Sequence, residues 1–109
     1  MLEENSPQLT DLLQQAQAAR LANQLDHAAR LLGVAFEKHP DALPVAKELA
    51  LLHQQRGEWP EARDCLELIL TQEPHDPQAL NALGVAWQAQ SDLAKAIECW
   101  QKAVSINPE

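Results

Sequence analysis

The stretch PQALNALGVAWQAQSDLAKAIECWQKAVSINP, residues 77–108, decides the fold. Within it Leu80, Leu83, Gly84 and Trp87 recur at three-to-four spacing, and Ala96, Trp100 and Ala103 do the same after a polar break at Gln90 to Asp92. Each run lays an apolar stripe along one side of a helix. The break between them has room for a tight turn and little else, so the stretch reads as two antiparallel amphipathic helices. Neither helix can bury its stripe alone, and the pair needs neighbours.

The neighbours lie in the same chain. Pro40, Pro74 and Pro108 stand 34 residues apart, and Ala28, Ala62 and Ala96 precede each of them by twelve. One helix-turn-helix unit therefore fills the chain three times, at 9–42, 43–76 and 77–109, behind a lead-in of residues 1–8. The fold expected is an all-α solenoid.

The third unit resembles the tetratricopeptide repeat family, whose signature places hold Leu80, Leu83, Gly84, Trp87, Ala96, Trp100, Ala103 and Pro108 here. The second unit places Ala46, Leu49, Ala50, His53, Ala62, Leu66, Ile69 and Pro74 at the same positions. The first places Leu12, Gln15, Ala16, Ala19, Ala28, Leu32, Ala35 and Pro40 there. Gln15 and His53 depart from the small-or-apolar rule. The resemblance covers residues 9–109 and implies a right-handed α-solenoid.

Local signals agree. Ser6 before Pro7 reads as an N-cap followed by a proline in the first helical turn. Pro60, after Trp59, should open a helix in the same way. Asp26, Glu58 and Asp92 fall near the start of each second helix, where a carboxylate meets the positive end of the helix dipole. Each unit closes at a proline that stops the helix.

Composition excludes several classes of function. The net charge is −8, from sixteen acids against eight bases, and lysines and arginines nowhere cluster, so a phosphate backbone would be repelled and nucleic acid is not expected as a partner. Glu58, Glu61, Asp64, Glu67, Asp92 and Glu98 read as a solvated outer face. No apolar run approaches the roughly 18 residues of a membrane span, and the amino terminus is acidic where a secretory signal is basic. A cytoplasmic protein without membrane contact is expected. Cys65 and Cys99 occupy the same place in consecutive units. Neighbouring helices pack about 8–10 Å apart, beyond the roughly 7 Å limit for bridged cysteines, so both should be free thiols.

No catalytic set emerges, and neither an enzyme nor a cofactor is expected. Gly33, Gly57 and Gly84 sit singly in three units and cannot form a phosphate cradle. His27, His39, His53 and His75 occupy four different repeat positions, which gives no convergent metal site. His53 replaces an aromatic and should be half-buried. Trp87 and Trp100 fill core positions, and Trp59 should pack between a second helix and its neighbours.

Function must then come from surface shape. The resemblance implies that the first helices line a concave groove for a peptide or a partner helix. Here its lining would be Thr10, Leu13, Gln17, Arg20 and Leu21, then Pro44, Lys47, Leu51, Gln54 and Gln55, then Gln78, Asn81, Val85, Gln88 and Ala89. That set holds no acid and only Arg20 and Lys47 as charges. Its amides can donate to and accept from a peptide backbone, and Leu13, Leu21, Leu51 and Val85 offer apolar anchors. An apolar or mildly acidic segment is the expected ligand. The lysine and asparagine clamp with which some repeat domains grip acidic chaperone tails is missing, because Leu13, Gln17, Glu48, Gln78 and Ala82 stand in its places.

A second surface is expected at the carboxyl end, where Val104 and Ile106 would lack cover. Two roles fit these surfaces. The repeats recruit a partner for a longer protein, whose catalytic domain could lie beyond residue 109, or the chain self-associates through its last unit.

Overall fold

The turn inside each unit is built the same way three times. Asn23, Gly57 and Ser91 take left-handed φ values of 64°, 72° and 69°. The next amide then reaches back: Gln24 N–H donates to the Ala19 carbonyl at 2.8 Å, Glu58 to His53 at 2.8 Å and Asp92 to Trp87 at 2.9 Å. This closure satisfies carbonyls at the end of one helix and reverses the chain within three residues.

The structure, a computed structural model, describes residues 7–106. Six helices and no strand occupy that range: α1 (Pro7–Leu21), α2 (Leu25–Lys38), α3 (Leu43–Gln55), α4 (Trp59–Gln72), α5 (Pro77–Ala89) and α6 (Leu93–Ile106). Helix α1 thus begins inside the residues set aside as a lead-in, and Ser6 and Pro108 lie outside the described residues. Pro44, Pro60 and Pro77 all sit in the first turn of their helices, where a missing amide hydrogen costs nothing.

Capping is uneven. The Asp76 carboxylate accepts from the Gln78 and Ala79 amides at 3.0 and 3.5 Å, and Asp92 accepts from Lys95 N–H at 3.1 Å. Asp26 lies in the first turn of α2 as expected. Glu58 stands at the N-cap of α4, at the start of a second helix as expected, and makes no side-chain capping bond. Its carboxylate turns instead to His53 Nδ1 at 2.7 Å and Arg56 Nε at 3.3 Å. The imidazole standing where an aromatic was expected supplies that partner across the turn.

The helices pack as α1/α2, α3/α4 and α5/α6, and the pairs stack through α2 on α3 and α4 on α5. The result measures 40 × 30 × 23 Å, an all-α helical-repeat solenoid. Ala28, Ala62 and Ala96 are wholly buried where each second helix crosses its partner. Leu32 and Leu66 keep only 1% and 3% of their surface, and each such burial contributes roughly 1.5–3 kcal/mol.

The third unit solves the same crossing with different volumes. Ala16 and Ala50 occupy the place that Gly84 holds in α5, and Leu32 and Leu66 occupy the place of Trp100 in α6. A Cβ on Gly84 would sit 2.6 Å from Trp100 Cδ1 and 2.8 Å from Cε2. The larger ring thus requires the smaller partner, and Ala–Leu becomes Gly–Trp.

Two outcomes follow for unfolding in urea. Gly84→Ala should destabilise by about 1–3 kcal/mol, and Trp100→Leu in the same chain should remove most of that cost, with a coupling of at least about 1 kcal/mol. Additive effects would mean that the two side chains do not compete for volume. At the turn, Gly57→Ala should cost about 1 kcal/mol and Ser91→Gly should gain about 0.5 kcal/mol, the left-handed penalty less the extra entropy of an unfolded glycine.

Candidate functional site

The first helices α1, α3 and α5 run side by side on one face and leave two depressions between them. The larger, about 600 Å³, lies between α3 and α5. Lys47, Glu48, Leu51 and Gln54 border it from α3, and Gln78, Asn81 and Val85 from α5, over a floor of Ala50, Ala79 and Ala82. Leu66 and Ile69 of α4 close it from behind. The smaller, about 290 Å³, lies between α1 and α3 and is lined by Thr10, Leu13, Gln14, Gln17, Pro44, Lys47 and Glu48. Lys47 and Glu48 form the ridge between the two.

The spacing that repeats these side chains also explains the floor. Leu51 and Val85 fall at the same place in consecutive units and project into the groove with 41% and 40% of their surface exposed. Ala50 of α3 and Ala79 of α5 belong to one apolar cluster with Leu66 and Ile69 of α4.

Ten of the expected groove residues line the two depressions: Thr10, Leu13, Gln17, Pro44, Lys47, Leu51, Gln54, Gln78, Asn81 and Val85. Arg20, Leu21, Gln55, Gln88 and Ala89 do not. They belong to the last turns of the first helices. There Leu21 is exposed, and Gln55 is spent on the backbone, donating from Nε2 to the Arg20 carbonyl at 3.3 Å.

Two acids outside the expected set join the lining, one of them Glu48, already set toward a ligand by its place in the chaperone-tail clamp. Glu48 borders both depressions, and Asp76 enters the larger one. Both acids are already engaged: Glu48 Oε1 pairs with Arg20 Nε at 3.4 Å, and Asp76 caps α5. Lys47 Nζ pairs with Glu73 Oε1 at 3.1 Å. Arg20 and Lys47, expected to be the groove's two cations, therefore each spend their charge on this chain's own carboxylates. Glu48 was detectable, because it lies four residues beyond Pro44 on the same side of α3.

Away from the groove, Trp87 carries a feature that helical spacing does not reveal. Its ring lies under Arg63 Cζ at 5.0 Å and Lys95 Nζ at 4.4 Å, an arrangement worth about 0.5–1 kcal/mol per cation at an exposed site. Arg63 also donates to Gln90 Oε1 at 3.1 Å, which ties α4 to the turn after α5. Trp100 donates from Nε1 to the Asn81 carbonyl at 3.4 Å. Both rings are half-buried and serve packing between helices.

At the carboxyl end Val104 is 59% exposed and Ile106 is also exposed, but the former value needs context. Phe36, at the same place in the first unit, is 47% exposed although a further unit follows it. The side chain whose burial differs is Trp100, half-buried where Leu32 and Leu66 are covered.

Among the described residues, no three His, Cys, Asp or Glu side chains gather closely enough to hold a metal, and no helix is long and apolar enough to cross a membrane. Cys65 and Cys99 are both free thiols and belong to the apolar cluster beneath the larger groove. Burial pushes both thiols up from their ordinary range. Asp64 adds to the shift at Cys65, while Lys102 partly offsets it at Cys99. A raised pKa leaves less thiolate at a given pH, so reaction with a disulfide reagent at pH 8 should be several-fold slower in the native chain than in urea, and its rate should climb at higher pH than for a free cysteine. Equal rates in both states would place the thiols at the surface.

Comparison with known proteins came to the same fold. Residues 19–86 and residues 77–109 match tetratricopeptide repeat profiles. Over 75 residues the chain is 34% identical to the Phagocyte signaling-impaired protein of Drosophila pseudoobscura pseudoobscura, a match that takes in 67% of this chain and 8% of that protein. Among solved structures, MamA 41-end from Desulfovibrio magneticus RS-1 superposes with a TM-score of 0.87 at 23% identity, over 92% of this chain and 56% of that one. A MamA RS-1 ArsTM double mutant superposes at 0.86 with 21% identity, over 98% of this chain and 58% of that one. The chain thus spans a small part of the curated relative and little more than half of these solved chains.

Proposed function

Since the chain belongs to the tetratricopeptide repeat family and is a protein–protein interaction scaffold, we propose that it holds an uncharged, apolar-anchored peptide segment in the groove between α3 and α5. The observation that carries this reading is the pairing of every charge on the groove wall. Lys47, Glu48 and Asp76 each have a partner within the chain, so an acidic peptide would have to break an existing ion pair to gain a new one. Leu51 and Val85 remain as exposed aliphatic anchors, flanked by Gln54, Gln78 and Asn81. Two aliphatic side chains of a ligand fit between them, and the amides meet its backbone.

The role is non-catalytic. The repeats act as the recruiting module of a longer protein, in the cytoplasm, where unpaired thiols such as Cys65 and Cys99 persist.

Selection of displayed peptides on the purified chain tests this directly. The selected sequences should carry paired aliphatic residues without an acidic cluster. Leu51→Asp and Val85→Asp should each weaken their capture at least tenfold, about 1.4 kcal/mol, with helicity unchanged by circular dichroism. Lys47→Ala and Gln88→Ala should leave capture within about twofold. Predominantly acidic selected peptides, or capture indifferent to Leu51 and Val85, would overturn the assignment.

A further inference from the structure

Two depressions share the face formed by the first helices, and Lys47 and Glu48 border both of them. These two ridge residues end differently. Glu48 pairs with Arg20 at 3.4 Å, and the two side chains keep only 18% and 13% of their surface, so this pair lies low between α1 and α3. The Lys47 side chain is 44% exposed, and its ammonium reaches Glu73 Oε1 at 3.1 Å. Lys47 is therefore the part of the ridge that stands proud.

Glu73 fixes where that ammonium goes. It is the C-cap of α4, its amide donating to the Ile69 carbonyl at 2.8 Å, and its own carbonyl accepts from Asp76 N–H at 3.2 Å. Asp76 in turn caps α5 and borders the larger depression. The Lys47 side chain thus runs from α3 to the connection between α4 and α5, across the end of the larger depression at which α5 begins. Leu13 and Asn81 hold the place of Lys47 in the other two units, and His39 holds that of Glu73 in the first. Neither leucine nor asparagine can form an ion pair. Among the described residues the strap therefore belongs to the middle unit, where the two depressions adjoin.

The dimensions turn this strap into a limit on ligand length. The walls of the larger depression run from Lys47 to Gln54 on α3 and from Gln78 to Val85 on α5, about 10 Å at roughly 1.5 Å per residue. An extended segment covers that distance with about three or four residues, at roughly 3.3 Å each. The smaller depression, with Leu13 and Pro44 as its apolar lining, lies one helix spacing away, about 8–10 Å or about three extended residues. A chain entering it from the larger one must pass over Lys47.

We infer that Lys47, strapped to Glu73, sets the length of the ligand: it confines the bound segment to the groove between α3 and α5 and bars it from the depression between α1 and α3. The inference rests on the groove reading above and deepens it. Removing the strap joins the two depressions and lets a longer segment place a further aliphatic side chain against Leu13 and Pro44. A segment that ends within the larger groove is indifferent to the change.

Three capped synthetic peptides test the inference: Gln-Leu-Gln-Val-Gln, and two nine-residue versions that carry one further leucine beyond one end or the other. Each is titrated into the isotope-labelled chain. The unsubstituted chain should bind all three within about twofold of one another, with shifts at Leu51 and Val85. Lys47→Ala should bind one of the longer peptides at least about fivefold tighter than the short one, with new shifts at Leu13. Glu73→Gln, which keeps the lysine but releases it, should show part of that gain, and so should the unsubstituted chain at roughly 1 M salt, where the pair is screened. A preference for the longer peptides already present at low salt, or no length preference in Lys47→Ala while Leu51 and Val85 still respond, would overturn this inference alone. A gain in Lys47→Ala with none in Glu73→Gln would also overturn it, because the bulk of the side chain and not the strap would set the limit. A short peptide that fails to bind at millimolar concentration, or whose shifts avoid Leu51 and Val85, would overturn the groove reading and this inference with it.

Discussion

How closely two helices approach inside a unit sets every other dimension of this solenoid. Ala28, Ala62 and Ala96 have no exposed surface, and each lies where a larger side chain would push the helices apart. With the crossing fixed, Leu32 and Leu66 reach the next unit, the first helices align on one face, and the depressions between them acquire their width. The exchange of Ala–Leu for Gly–Trp in the third unit obeys the same limit. The larger ring of Trp100 fits only because Gly84 has no Cβ.

The repeat, the helix pairing and the alanine crossings were legible because each is a matter of period, and a period survives in a one-dimensional string. The left-handed residue of the turn was legible only as a polar break. Asn23, Gly57 and Ser91 share a backbone conformation and no side chain. The period that repeats Leu51 and Val85 was legible, and both border the larger depression. Arg20, Leu21 and Gln55 follow the same period but sit in last turns outside both depressions. Gln15 broke the apolar pattern, and its side chain is exposed among the described residues.

Charge was the least legible property, because pairing depends on residues far apart in the chain. Arg20 finds Glu48 across a unit boundary, and Lys47 finds Glu73 at the far end of its own unit. Composition describes a strongly acidic protein and the family resemblance implies two cations in its groove, whereas the pairs leave a groove wall of amides and aliphatic groups. The bracketing of Trp87 by Arg63 and Lys95 is of the same kind. Cations scarce in the sequence are spent inside the fold, and the acids left over face solvent on the second helices.

The bed of the larger groove is made of methyl groups, those of Ala50, Ala79 and Ala82. Such a bed has no recess deep enough to take one side chain and refuse its neighbours, and it has no buried donor or acceptor to fix a register. On the reading proposed above, a ligand lying on it would shift along its own axis at little cost, and discrimination would rest on the length and polarity of the segment, with modest affinity and rapid dissociation. A groove with such a bed would suit partners that are exchanged often and recognised by more than one sequence.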